Sequence, residues 1–200
     1  TTMYFMFYYA SAFDQDLGWC VGGDVDLDDA FDGTQCASTY CGVMWETNTG
    51  DCGVSPTGNV MVNWKIRWAV AGWLDDATAA EATYGHISTW ETSGVTDMSE
   101  LFCSGGWCDS YNSGAASFNE DISSWDTSGV TEMNSMFVEA SSFNRDIGGW
   151  AVHSVTDMSG MFVQAEVFNQ DLSGWAVHSV TDMYYMFFQT ALNQDLGWCV

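Results

Sequence analysis

The chain carries seven cysteines, Cys20, Cys36, Cys41, Cys52, Cys103, Cys108 and Cys199. Thiols at such spacings do one of two kinds of chemistry, oxidation in pairs or thiolate ligation of a metal. The C-x15-C-x4-C-x10-C run from Cys20 to Cys52 has none of the close C-x2-C pairs of a zinc ribbon, which favours disulfides over zinc. Cys103 and Cys108 stand at the two ends of a tiny loop and are expected to bridge each other. Seven is odd, but "LGWCV" occurs twice, at Leu17 to Val21 and at Leu196 to Val200, so Cys199 is the counterpart of Cys20. Six cysteines per period then remain, and Cys20, Cys36, Cys41 and Cys52 supply two further bridges with three connectivities open. Disulfides imply an oxidising setting, extracellular or at the cell surface.

Carboxylates form the second set. Asp16, Asp121, Asp146, Asp171 and Asp195 recur in phase and would stack as a column of like charges. Such a column repels itself unless each member accepts backbone N–H bonds or a cation sits among them, and one capping carboxylate per turn is the preferred reading. "DVDLDDAFDG", Asp24 to Gly33, resembles the opening of an oxygen-ligand calcium loop, with Asp24, Asp26 and Asp28 as candidate ligands. It lacks the Gly at the sixth position and the Glu at the twelfth, so calcium is the weaker reading and no other cofactor is expected. His153 and His178 share one repeat position and have no Cys or Ser partner at a catalytic spacing. G-x-S-x-G, H-E-x-x-H, P-loop and G-x-G-x-x-G motifs are all absent, so a non-catalytic protein is expected.

Charge narrows the partners. Lys65, Arg67 and Arg145 are the only strong cations against 27 Asp and Glu, a formal net charge of -24. That surface repels phosphate backbones and anionic headgroups, which argues against nucleic acid and membrane surfaces. No run of about 18 apolar residues spans a membrane, and the N-terminus lacks a basic, apolar leader. With 47% apolar and 16% aromatic residues the chain has the composition of a folded domain, not of a disordered acidic tail.

These groups must be positioned by a repeat. Trp125, Trp150 and Trp175 are 25 residues apart, as are Phe118, Phe143 and Phe168, and the pairs Met133/Phe137, Met158/Phe162 and Met183/Phe187. The consensus is F-N-x-D-[IL]-x-x-W-x-x-x-x-V-T-[DE]-M-x-x-M-F-x-x-A. An earlier copy containing Trp90 is separated from Trp125 by ten extra residues around "CSGGWCDSYN", Cys103 to Asn112. One copy cannot bury its own apolar face, whereas stacked copies cover one another and place Trp90, Trp125, Trp150 and Trp175 in a ladder at strand spacing. "DISSW" and the "VT" step are expected as short parallel strands, and "DMSGMFVQA" as a short helix or 3-10 turn from its i, i+3, i+4 spacing. Upstream, Trp64, Ile66, Trp68, Val70, Ala71 and Leu74 suit an amphipathic helix, with Asp75 or Asp76 starting a second one; together they would cap the stack, behind a linker at 50–58.

"SFNEDISSWDTSGVTEMNSMFVEA" and its sister copies resemble the BspA-like, Mycoplasma-lipoprotein-type surface repeat over residues 84–200 and 1–19. The resemblance implies a leucine-rich-repeat-like α/β solenoid with right-handed coils of about 25 residues, on a secreted or cell-surface protein of adhesive or structural role, with no catalytic residue to carry over. The first copy departs from the pattern, with His86 at the Asp position and Tyr84 at the Asn position, as suits a coil abutting a cap.

The expected organisation is therefore a terminal coil at 1–19, a Cys-rich acidic junction at 20–53, a linker and helical cap at 54–83, and a solenoid of four to five coils at 84–200 with the 103–112 loop inserted. Trp19 and Trp198 stand 179 residues apart, which reads as one period of a tandem array cut at an arbitrary point. The expected function is a structural unit of an extracellular fibre, self-associating head to tail, covalently or through separate chains. The alternative is an adhesin whose repeat face recognises a glycan or protein. No Asn has Ser or Thr at the second following position, so N-glycosylation is excluded while O-linked sugar stays open.

Overall fold

A computed structural model describes residues 2–15, 17, 19–22, 25–36, 41, 43–45 and 58–198, the side chains of Cys20, Met44 and Trp45 excepted. It divides into two units, Thr1–Pro56 and Thr57–Val200. Most of the linker expected at 50–58 lies outside the described residues.

In the first unit β1 (Cys20–Val21) pairs in parallel with β2 (Met44–Trp45). Thr2 forms a parallel bridge with Asp26, and the N–H groups of Met3, Phe7 and Tyr9 donate to the carbonyls of Asp26, Ala30 and Asp32 at 2.7 to 2.8 Å. Phe31 stacks on Phe7 at 5.3 Å between ring centroids, and Leu27, Ala30 and Phe31 are buried. Residues 26–31, "DLDDAF", thus take the places of D-M-x-x-M-F and form another copy of the repeat. That copy lies within the stretch expected as a Cys-rich junction at 20–53. The copy was hidden because Leu and Ala replace both methionines, and three further carboxylates mask the apolar positions.

The second unit opens with β3 (Val60–Val62), α1 (Asn63–Asp75) and α2 (Ala77–Tyr84). The Asp76 carboxylate accepts from the N–H groups of Thr78 and Ala79 and so caps α2. Ile66, Ala69, Val70 and Trp73 form the buried face of α1 at i, i+3, i+4, i+7, whereas Trp64, Trp68 and Leu74 are half-buried and Ala71 is exposed. β3 pairs in parallel with β4 (Glu91–Gly94), which joins the helices to the first copy.

Beyond β4 the copies lie side by side in register. Asp97, Glu132, Asp157 and Asp182 form a series of single-residue parallel bridges. Alternate N–H groups then point along the stack: Met158, Gly160, Phe162 and Gln164 donate to the carbonyls of Asp182, Tyr184, Met186 and Phe188 at 2.7 to 2.9 Å. The N–H groups between them close local turns, as Met161 to Met158 and Val163 to Gly160. "DMSGMFVQA" is therefore a chain of turns closed by i to i+3 bonds, so of the two expected forms the turn is met and the helix is not. Gly160 at φ 62° and Gln164 at φ 56° are left-handed, and each stops helical propagation after one turn. "DISSW" is likewise a turn, closed by the Trp125 N–H on the Ile122 carbonyl, so the expected strand there is corrected; the "VT" step is reduced to the bridges.

The core is built of columns. Phe102, Phe137, Phe162 and Phe187 stack at 5.4 to 5.6 Å. Trp90 stacks on Trp125 at 6.0 Å, Trp125 on Trp150 at 6.5 Å and Trp175 on Trp198 at 6.4 Å. Beyond Trp90, whose Nε1 donates to the Gly85 carbonyl, the indoles donate to the Ile or Leu carbonyl of the preceding copy: Trp125 to Ile87, Trp150 to Ile122, Trp175 to Ile147 and Trp198 to Leu172, at 3.0 to 3.2 Å. A buried indole needs an acceptor, and the stack supplies one at each step.

Candidate interaction surface

The residues singled out by chemistry are placed as follows. Cys103 and Cys108 form a disulfide, and Cys36 pairs with Cys41, which settles one of the open bridges and removes both from any zinc site. Cys52, Cys199 and the Cys20 side chain lie outside the described residues. Asp121, Asp146, Asp171 and Asp195 each accept the N–H two residues on, from Ser123, Gly148, Ser173 and Gly197, at 2.9 to 3.1 Å; Asp16 is not among the described residues. His86, at the equivalent position, accepts from the Ser88 N–H through Nδ1. Bonds from the hydroxyl and N–H of Ser123 hold the Asp121 carboxyl below its usual range, and those from the N–H and hydroxyl of Ser173 do the same for Asp171.

The calcium reading changes. Asp24 lies outside the described residues, and Asp26 accepts from the Asp28 N–H at 2.9 Å, as Asp157 accepts from Ser159 and Asp182 from Tyr184. Asp26 is thus engaged as a turn carboxylate of the degenerate copy. Among the described residues no three His, Cys, Asp or Glu side chains converge on one point. His153 and His178 are exposed.

A ladder not singled out in the sequence is the asparagine one. The Oδ1 atoms of Asn119, Asn144 and Asn169 accept the N–H groups of Asn144, Asn169 and Asn193 at 2.8 to 3.0 Å. Its signal was present, as the Asn of the F-N-x-D consensus.

The two ends of the 57–198 stack differ. Within it, the N–H of Thr131 and that of Glu132 donate to the Thr96 carbonyl of the copy before. The first copy has no copy before it, and there Asn63 of α1 stands in: its Oδ1 accepts from Thr96 N–H at 2.8 Å and Asp97 N–H at 3.2 Å. Arg67 supplies donors in the same way, to the Ser99 carbonyl at 2.8 Å and the Asp97 carboxylate at 2.9 Å. Side chains on a helix thus imitate the backbone of a missing copy.

At the far end nothing among the described residues does this. The N–H groups of Met183, Phe187 and Gln189, equivalent to Met158, Phe162 and Gln164, meet no acceptor among the described residues. Met183, Phe187, Leu196 and Trp198 are only half-buried where their inner equivalents are buried, and they line a shallow concavity of about 670 Å³. The exposed Tyr185 and Phe188 form part of its wall, and Tyr184 is exposed as well. The arrangement can accept another copy of the repeat.

Residues 74–198, more than half of the chain, match the family described as Mycoplasma protein of unknown function, DUF285. The chain belongs to that family. No curated protein and no solved structure matches it. The two described disulfides are compatible with an extracellular location.

Proposed function

We propose that this chain is a structural unit of an extracellular or cell-surface filament, built as a leucine-rich-repeat-like solenoid and joined to its neighbours head to tail. The observation that carries the reading is the repetition itself: successive copies stack in one register along one axis, and the "LGWCV" at Leu196–Val200 also stands at Leu17–Val21. An apolar face with a row of free backbone groups is a template for another copy, and it grows a stack along one axis only. A net charge of -24 opposes lateral contact between such filaments. The BspA-like resemblance agrees with a surface role. Electron microscopy and sedimentation of native material test the proposal: filaments are expected, and a dispersed monomer at high concentration would overturn it.

A second reading has one specific observation behind it. Trp107, 61% exposed, stands on the loop tied by Cys103 and Cys108, with exposed Tyr111 after it. A fixed, exposed indole suits stacking against a sugar or an apolar side chain, the adhesin reading. Glycan binding abolished by Trp107→Ala would favour it over the purely structural one.

A further inference from the structure

His86 stands where later copies have Asp121, Asp146 and Asp171, and it fills the same role with a different atom. Nδ1 of its ring accepts the Ser88 N–H at 3.3 Å, as each carboxylate accepts the N–H two residues on. The Ser88 hydroxyl lies 2.8 Å from the same Nδ1. Accepting the N–H requires a lone pair on that atom, so the bond is made by a neutral ring with its proton on Nε2. A carboxylate keeps its lone pairs free down to about pH 4, whereas histidine is the side chain that changes charge between about pH 8 and 5.

The ring lies where the helical cap meets the first copy. Trp73 of α1 makes T-shaped contacts with it at 5.1 Å and with Trp90 at 6.0 Å, and Tyr84, the last residue of α2, meets Trp90 at 6.1 Å. The turn that His86 caps is closed by the Thr89 N–H and hydroxyl on the His86 carbonyl and by the Trp90 N–H on the Ile87 carbonyl. Ile87 is buried, and its carbonyl also takes the Trp125 indole of the next copy. The 87–89 turn thus joins the cap to the stack.

We infer that His86 is an acid-sensitive latch between the helical cap and the first copy: protonation of its ring releases the Ser88 N–H and loosens the 87–89 turn, while the turns held by Asp stay closed. With a proton on Nδ1 the ring still bonds the Ser88 hydroxyl, now as donor, but it meets the Ser88 N–H with a second N–H. That amide has lost its acceptor. The groups around the ring allow the charge. Trp73 presents an aromatic ring, Tyr84 is half-buried with its hydroxyl held neutral by burial, and Asp121 holds the same position in the next copy, where its carboxylate attracts a cation. Asn63 and Arg67 bind Thr96, Asp97 and Ser99 and not this turn, so the cap stays attached and the opening is local. The latch lies within 57–198 and does not depend on the filament reading.

Amide exchange followed by NMR on the full chain from about pH 8 to 5, with each rate divided by the intrinsic rate at that pH, tests the latch. Protection at Ser88 should fall about tenfold, as the loss of one hydrogen bond implies, while Gly148 and Ser173, capped by Asp, keep theirs. His86→Asp, which restores the residue of the later copies, should hold Ser88 protection constant over the same range. His86→Asn, with an uncharged capping oxygen, should do the same and serves if a carboxylate is not accommodated beside Trp73. Constant protection in the parent, an equal fall at Gly148 and Ser173, or a fall that persists in both variants overturns the latch.

Discussion

At the residue scale, the indole nitrogens explain why tryptophan occupies its column. Phenylalanine would fill the same space, but Trp150 Nε1 donates to the Ile122 carbonyl across to the preceding copy. Trp150→Phe is expected to keep the ring stack and leave that carbonyl with the Trp125 N–H alone, losing one hydrogen bond at a cost of about 0.5 to 1.5 kcal/mol. Calorimetry checks it; a melting temperature equal to the parent's would mean the indole bond adds nothing to the Trp125 N–H bond. Asn63 has the converse role, as an acceptor for two N–H groups. Asn63→Leu should destabilise by a similar order, about 1 to 3 kcal/mol, and speed amide exchange at Thr96 and Asp97 first. Unchanged exchange at those two amides would sink the idea that Asn63 substitutes for a copy.

At the element scale, Asp121, Asp146, Asp171 and Asp195 each hold a turn, and alternate N–H groups tie the copies to their neighbours. Asp121, Asp126 and Asp171 are held below the ordinary value of 3.8, by Ser123, Ser128 and Ser173 respectively. A carboxyl with a depressed folded pKa contributes stability that is complete above its unfolded pKa and lost as pH falls through the folded one. Denaturant unfolding should therefore show stability falling below about pH 4, and Asp121→Asn with Asp171→Asn should flatten that fall. The groups are almost fully exposed, so the slope is shallow. The Cys103–Cys108 bridge closes a short loop, and chain entropy assigns such a closure about 2 kcal/mol. Replacing both by Ser should loosen residues 103–112 while the Phe102 to Phe187 column persists, as proton exchange or limited proteolysis would report.

At the scale of the whole molecule, charge and the open face act in different directions. With a net charge of -24 the sides of the proposed stacks would repel, whereas the exposed Tyr184, Tyr185 and Phe188 belong to the last described copy of the second unit. Screening shortens that repulsion to about 8 Å at physiological ionic strength. The proposed filaments should stay thin at neutral pH, then bundle and precipitate as pH nears the sequence pI of about 4.1. Light scattering across pH follows this; a solubility minimum far from that value would show that contacts other than charge control lateral association.

The period of 25, the Trp, Phe and Met columns and the Cys103–Cys108 pair were legible in the sequence, because each depends on residue type at a fixed spacing. The conformation between those positions was not. Met158, Met161 and Phe162 have the spacing of a helical face, yet a left-handed Gly160 and bonds to residues 24 positions away make the segment a ladder of turns. Local spacing cannot separate the two, since the deciding hydrogen bonds belong to the next copy. Residues 26–31 have the sequence of an acidic loop for the same reason: only stacking on Phe7 shows Leu27, Ala30 and Phe31 as the apolar side of a copy. Asn63 and Arg67 carried no signal at all, because their partners Thr96 and Ser99 lie about 33 residues on and are found only once α1 covers the first copy. Composition and spacing determine what a copy buries; which backbone groups remain open is decided by what lies on either side of it, and that exists only in the assembled stack.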